Sequence, residues 1–160
     1  MILSFTGHRK LFDQYYPHKK WNPICAEVVR VLEELKPELI LSGGALGFDS
    51  LAMDAALALN IPYRIAVPFR GQETIWPYKS QERYRNFIDK AESVVIVSDG
   101  GYSPEKMETR NRYLIDNSDL VLACLDPNLK KSGTLNCVRY ADSKNKKVIN
   151  VYHSSYSKET

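Results

Sequence analysis

The sequence predicts an α/β domain, a doubly wound, mostly parallel sheet with helices on both faces. Three observations carry that prediction. Short apolar runs alternate with helical patterns along all 160 residues. No repeat or linker interrupts the alternation. A glycine-rich turn, Ser42 to Gly47, joins one of the runs to a helix, as a parallel sheet with crossover helices requires.

Ile2 to Phe5 reads as the first strand, stopped by Thr6-Gly7-His8-Arg9. Leu11 to Asn22 is rich in aromatics and has no clean period, which fits a long loop or a short helix lying over the site. Pro23 suits the first turn of a helix, and Ile24, Val28, Val31, Leu32 and Leu35 recur at helical spacing until Pro37. Leu39 to Leu41 is the second strand, and the Ala/Leu-rich stretch beyond Gly47 reads as a helix to about Leu59. Tyr63 to Val67 is the third strand, ended by Pro68. A polar loop, Phe69 to Glu73, and a helix around Gln81 to Ala91 follow. Ser93 to Val97 is a nearly continuous β-branched run, the pattern of a strand buried on both faces. Ser103-Pro104 supplies a cap and first-turn proline for a helix ending near Asn117. Leu120 to Leu125 is the fifth strand, Ser132-Gly133-Thr134 opens another helix, and Val148 to Val151 is the last strand. Residues 1–153 form the domain in this reading, and 154–160 a polar tail.

Composition narrows the function classes. A hydrophobic content of 44% and a charged content of 26% are those of a soluble globular protein. The net charge of +3 is too small to imply nucleic acid or an anionic membrane surface. The basic clusters His18-Lys19-Lys20, Lys130-Lys131 and Lys144 to Lys147 are short and separated. Cys25, Cys124 and Cys137 lie far apart without Cys-x-x-Cys spacing, which argues against disulfides and zinc and for a reducing cytoplasm. The first residues lack the basic segment and long apolar run of a signal peptide, and no run reaches membrane-spanning length. The expectation is a cytoplasmic protein with no membrane partner.

In such folds, ligands bind beyond the carboxyl ends of the strands, where strand order reverses. That rule selects Thr6 to Arg9, Ser42 to Gly47, Pro68 to Glu73, Ser98 to Gly101 and Asp126 to Thr134. The glycine turn has two readings. It is an anion cradle on helix N–H groups, or the tight packing that a strand–helix turn needs. Its spacing matches neither Gly-x-Gly-x-x-Gly nor the Walker loop, and no cofactor is implied. Gly43-Gly44 and Gly133-Thr134 are two glycine-containing helix starts on one sheet edge, suited to phosphate. Arg9, Arg70 and Arg110 supply candidate charge, or else surface ion pairs. Asp49, in a first helical turn, caps free N–H groups or accepts ribose hydroxyls. Glu73, in a loop at the expected mouth, is a ribose contact, a carboxylate assisting glycosidic cleavage, or a solvated residue. His8 contacts a base or phosphate, or is structural. Tyr15, Tyr16, Trp21 and Trp76 stack on a base or pack their loops down. No His/Cys/Asp/Glu spacing suggests a metal, and no Gly-x-Ser-x-Gly elbow is present.

These residues resemble a known family. Ser42 to Asp49 with Ala52 looks like the Ser-Gly-x-Ala-x-Gly-x-Asp-x-x-Ala signature of DprA-type proteins. Thr6-Gly7-His8-Arg9, Pro68 to Glu73, Arg110-Asn111 and Gly133-Thr134-Leu135-Asn136 are closer to the YpsA-like branch. Both belong to the SLOG superfamily, Rossmann-like domains that bind nucleotides or nucleotide-derived ligands, and the resemblance runs from Thr6 to about Val151. It implies a nucleotide-like small molecule bound for sensing, sequestration or regulation, and a homo-oligomer. The implied contacts are Thr6, Gly7, His8, Arg9, Ser42, Gly43, Gly44, Ala45, Gly47, Arg70, Glu73, Arg110, Asn111, Gly133 and Thr134.

The alternative is an N-glycoside hydrolase releasing the base from a nucleoside monophosphate or related nucleotide, with Glu73 or Asp49 catalytic. The superfamily's cytokinin-activating enzymes use Pro-Gly-Gly-x-Gly-Thr-x-x-Glu. Here Lys130 and Lys131 stand where glycines are expected, and Cys137 stands in the glutamate's place. Those departures argue against that hydrolase. A third reading, single-stranded nucleic-acid binding as in DprA proteins, needs a contiguous basic groove. The near-neutral charge does not favour it, and Met53 stands where those proteins commonly carry His.

Overall fold

The computed structural model describes residues 1–129 and 132–152. The Lys130-Lys131 cluster, His153 and the expected polar tail, 154–160, lie outside the described residues. After β1 (Ile2–Gly7) comes a two-stranded ribbon, β2 (Lys10–Leu11) and β3 (Gln14–Tyr15), then α1 (Asn22–Leu35). Next are β4 (Leu39–Ser42), α2 (Phe48–Ala58), β5 (Tyr63–Val67), α3 (Tyr78–Lys90) and β6 (Ser93–Ile96). The chain continues through α4 (Pro104–Asp116), β7 (Leu120–Cys124), α5 (Gly133–Ser143) and β8 (Lys147–Asn150). Six strands form one sheet in the order β6-β5-β4-β1-β7-β8, and every neighbouring pair is parallel. The α/β class, the parallel sheet and the helices on both faces are as the sequence predicts.

Strand pleating sorts the core into two layers, because successive side chains point to opposite faces. Leu3, Phe5, Ile40, Ile65 and Leu122 pack with α1, α2 and Phe87 of α3 on one face. Leu39, Leu41 and Ala66 meet Leu114 of α4 on the other, and Val121 meets Cys137 and Ala141 of α5. In α1, Ile24, Val28, Val31 and Leu32 make the apolar stripe. A left-handed Lys36 (φ 47°) ends that helix ahead of Pro37, a residue whose neighbour is held out of helical geometry. Residues 48 to 53 of α2 are all buried, followed by Ala55 and Ala56. A helix covered on nearly all sides is part of the core. No helix among the described residues is long and apolar enough to cross a membrane.

Two local expectations are corrected. Ser93 to Val97 reads as a strand buried on both faces, yet β6 is the sheet edge, and Val94, Val95 and Ile96 are 36–40% exposed. β-branched content reports fitness for a pleated surface, and strand position is set by the whole topology. Residues 11 to 22 do not lie over the site. They form the β2–β3 ribbon and a turn of 3₁₀ helix (Lys19–Trp21) packed beside α1 and α2. Trp21 is fully buried, with its indole N–H donating to the Gln14 carbonyl at 3.0 Å. The Tyr16 hydroxyl donates to Asp54 at 2.6 Å.

The contact that positions the site is between backbones. The Phe48 N–H at the head of α2 donates to the His8 carbonyl at 3.1 Å. Gly47 makes this approach feasible, with φ +80° and with Arg9 Cα and the His8 carbonyl where a Cβ would sit. Gly7 faces the Phe48 ring in the same way, a Cβ there falling 2.5 Å from Phe48 Cβ. We expect Gly47→Ala to destabilise the fold by about 3 kcal/mol or more, from backbone strain and overpacking together. Urea unfolding measures this, and an unchanged midpoint would show that the β1 loop and α2 separate at no cost.

Candidate functional site

Strand order reverses at β1, with β4, β5 and β6 laid down on one side and β7 and β8 on the other. Crevices form at such a point because the flanking helices diverge to opposite faces. A cavity of 270 Å³ opens there. Its walls are the end of β1 with its loop (Phe5 to Arg9), Ala45 and Asp49 from the glycine turn and α2, and Met107, Arg110, Asn111 and Leu114 from α4. Ser132, Gly133 and Thr134 at the start of α5 complete it.

The structure thus brings together Thr6, Gly7, His8, Arg9, Ala45, Asp49, Arg110, Asn111, Gly133 and Thr134. Ser42, Gly43, Gly44 and Gly47 build the turn that carries Ala45 and Asp49. Arg70 and Glu73 go elsewhere. With Tyr84, Arg85, Asp89 and Val94 they line a separate groove of 360 Å³ between the loop after β5, α3 and β6. Met107 and Leu114 line the cavity without any local signal in the sequence, since the phase of α4 against β1 is a tertiary matter; Ser132 joins them at the helix start that the sequence marks.

The glycine turn satisfies much of its own hydrogen bonding. Ser42 Oγ accepts from the Gly44 N–H at 3.2 Å and donates to the Asp49 carbonyl at 3.3 Å. Asp49 Oδ2 accepts from the Ala45 N–H at 3.1 Å. The Gly43 carbonyl accepts from Arg110 Nη1 at 2.7 Å and from Gln72 Nε2 at 3.2 Å. Gln72 is a residue that sequence reasoning passed over, being placed in a polar loop, yet it is 5% exposed and also donates to the Tyr84 hydroxyl. Its Oε1 has no partner among the described residues.

Asp49 and Arg110 are both buried and flank Gly43, where a Cβ would fall 2.9 Å from Asp49 Oδ2 and against Arg110 Nη1. Burial raises the Asp49 carboxyl above the ordinary carboxylate value, opposed by the Arg110 charge, the Ala45 N–H and Arg9. Burial lowers Arg110, opposed chiefly by the Asp49 charge. Each is the other's main compensation for leaving water, since a lone buried charge is costly. Arg110 Nε also donates to Asn111 Oδ1 at 2.9 Å, which fixes the plane of the guanidinium.

The second helix start is built differently. Ser132 caps α5 by accepting from the Leu135 N–H at 2.9 Å. The N–H groups of Gly133 and Thr134, first in the helix, have no partner among the described residues. They stand at the positive end of an 11-residue helix. The cavity therefore joins free backbone donors to a buried guanidinium, a set suited to an anion with several oxygens. Among the described residues, no group of three or more His, Cys, Asp or Glu could hold a metal ion.

His8 ties the β1 loop to the segment after β7, because its Nε2 accepts from the Asp126 N–H at 3.0 Å. Burial lowers its pKa, and the Asp126 charge opposes the shift. Protonation therefore favours the unfolded chain. This contribution to stability is present above about pH 6.5 and is lost as the pH falls through the depressed folded value. We expect stability to drop more steeply from about pH 7 to about pH 5 in the native protein than in His8→Gln, whose amide oxygen keeps an acceptor. Parallel slopes in urea unfolding would refute this.

Comparison with known proteins bears on the fold and the family. The SPbeta prophage-derived protein YoqJ of Bacillus subtilis is 32% identical over 135 residues, covering 72% of this chain and 78% of its own. DNA processing protein A from Helicobacter pylori, described by its single-stranded DNA binding mode, superposes with a TM-score of 0.67 at 23% identity. That match covers 92% of this chain but only 63% of the Helicobacter chain. The molybdenum cofactor binding protein from Rippkaea orientalis superposes with a TM-score of 0.61 at 19% identity, over 99% of this chain and 80% of its own. At such identities these two likenesses speak for the fold. A family model described as YpsA, the YspA SLOG family, matches residues 18–156. With nearly the whole chain matched, the protein belongs to the YpsA SLOG family.

Proposed function

We propose that the protein binds a nucleotide or nucleotide-derived ligand, holding its phosphate in the cavity at the carboxyl ends of β1 and β7, for sensing, sequestration or regulation. One observation carries this reading: the Gly133 and Thr134 N–H groups, without a partner among the described residues, share a cavity with the buried Arg110 guanidinium. A phosphate there accepts from both N–H groups and from Arg110, with Arg9 adding charge at the rim and Thr6 and Asn111 within the same walls. Ser42, Gly43 and Gly44 support the site indirectly, by holding Asp49 and Arg110 in place. The superposed proteins from Helicobacter pylori and Rippkaea orientalis, described as binding single-stranded DNA and molybdenum cofactor, support a ligand-holding role for the same fold.

Turnover receives less support. Glu73 does not line this cavity, and Asp49, the one carboxylate among the described residues that line it, is engaged by the Ala45 N–H and balanced by Arg110. Binding without base release is therefore the reading adopted.

Gly133→Pro isolates the backbone donor. Proline is favoured at the first helical position, where it removes only an N–H. Ser132 is already extended (φ −167°, ψ 158°), as a residue before proline must be, and an added Cβ at Gly133 meets nothing within 4 Å. We expect the melting temperature to be preserved and affinity for nucleoside 5′-monophosphates to fall about tenfold in titration calorimetry, the worth of one charge-assisted hydrogen bond. Unchanged affinity would place the phosphate elsewhere, and a native protein that binds none of them would overturn the reading.

A further inference from the structure

The cavity at the strand ends does not stop at α5. A second, larger hollow of 570 Å³ runs between α4 and α5. It shares Met107, Asn111 and Gly133 with the first, so the two adjoin along these residues. The second compartment has its own chemistry. Met107 offers a polarisable apolar floor at the junction, suited to a flat ring. Farther along, Arg112 is held by Glu108 at 2.7 Å and lies 5.2 Å over the Tyr140 ring. Arg139 also lines this compartment, and it has no hydrogen-bond or ion-pair partner among the described residues. Gly133 and Arg139 are six residues apart on α5, about 9 Å along the helix axis. A nucleoside unit with a second phosphate spans that interval.

We infer that the ligand is a dinucleotide rather than a mononucleotide, with one phosphate at Arg110 and the start of α5 and a second nucleoside-phosphate unit in the α4–α5 trough, its anionic group on Arg139. This rests on the binding role proposed above and adds the substrate class. The volumes agree with it: the first compartment alone, at 270 Å³, falls below the usual size of a small-molecule site, and the two together fall within it.

The test compares nucleoside 5′-monophosphates with the 5′-phosphorylated dinucleotides made from them, by calorimetry on the native protein and on Arg139→Glu. The native protein is expected to bind the best dinucleotide about tenfold more tightly than the matching mononucleotide, the gain from one more charge-assisted contact. In Arg139→Glu, a change at an exposed position, the ratio of the two affinities should fall to near one. A native ratio near one, or a ratio that Arg139→Glu leaves intact, overturns the inference while the mononucleotide site stands. Affinity that keeps rising with oligonucleotide length overturns it in favour of a strand-binding groove. If no nucleotide of either kind binds, the proposed binding role fails and this inference falls with it.

Discussion

The close approach of two backbones, the β1 loop and the head of α2, is the constraint on which the rest of the site depends. Phe48 N–H reaches the His8 carbonyl only because Gly47 and Gly7 present no side chain at the crossing. With the β1 loop pinned there, His8 extends across to the Asp126 N–H after β7. Three segments far apart in sequence are thereby locked at the point where strand order reverses. Packing at interior density leaves such a junction little slack, so one methyl group at Gly47 is felt by all three.

The two glycine-bearing helix starts have diverged in role. At the first, Ser42 and Asp49 take up the Gly44 and Ala45 N–H groups, and a carboxylate stands where an anion would otherwise approach. That turn is an internal brace whose polar groups answer one another, with Arg110 as counter-charge. At the second, Ser132 provides a cap, and the Gly133 and Thr134 N–H groups beside the cavity have no partner among the described residues. The contrast follows from hydrogen-bond accounting: a donor already paired inside the fold contributes little to a ligand, and one left unpaired beside a guanidinium contributes much.

Much of the fold was legible because it is written locally. Tyr63 to Val67 matches β5 residue for residue, and Ser103-Pro104 and Ser132-Gly133 mark the starts of α4 and α5 as a cap and first-turn residue should. The small face of α2, with Ala52, Ala55 and Ala56, is buried as close helix–sheet packing demands. The site was legible as a set of loops, since the carboxyl ends of parallel strands all lie on one side of the sheet. Which loops meet was not legible. Arg70 and Glu73 follow β5, two strands from β1, and so open onto a different groove from the one holding Asp49 and Arg110.

By itself the sequence determined the class of fold, the succession of elements and the candidate residues at each turn. These follow from short-range causes: side-chain period, capping, and the backbone freedom or restriction of glycine and proline. Tertiary structure alone decided that the β-branched run Ser93 to Ile96 is an exposed edge, that Gln72 is buried under Gly43, and that a hollow between α4 and α5 adjoins the cavity. Those depend on strand order and helix phase, which arise from contacts between residues tens of positions apart. No local pattern encodes which neighbour a strand will have, and the neighbour determines whether a side chain meets protein, ligand or water.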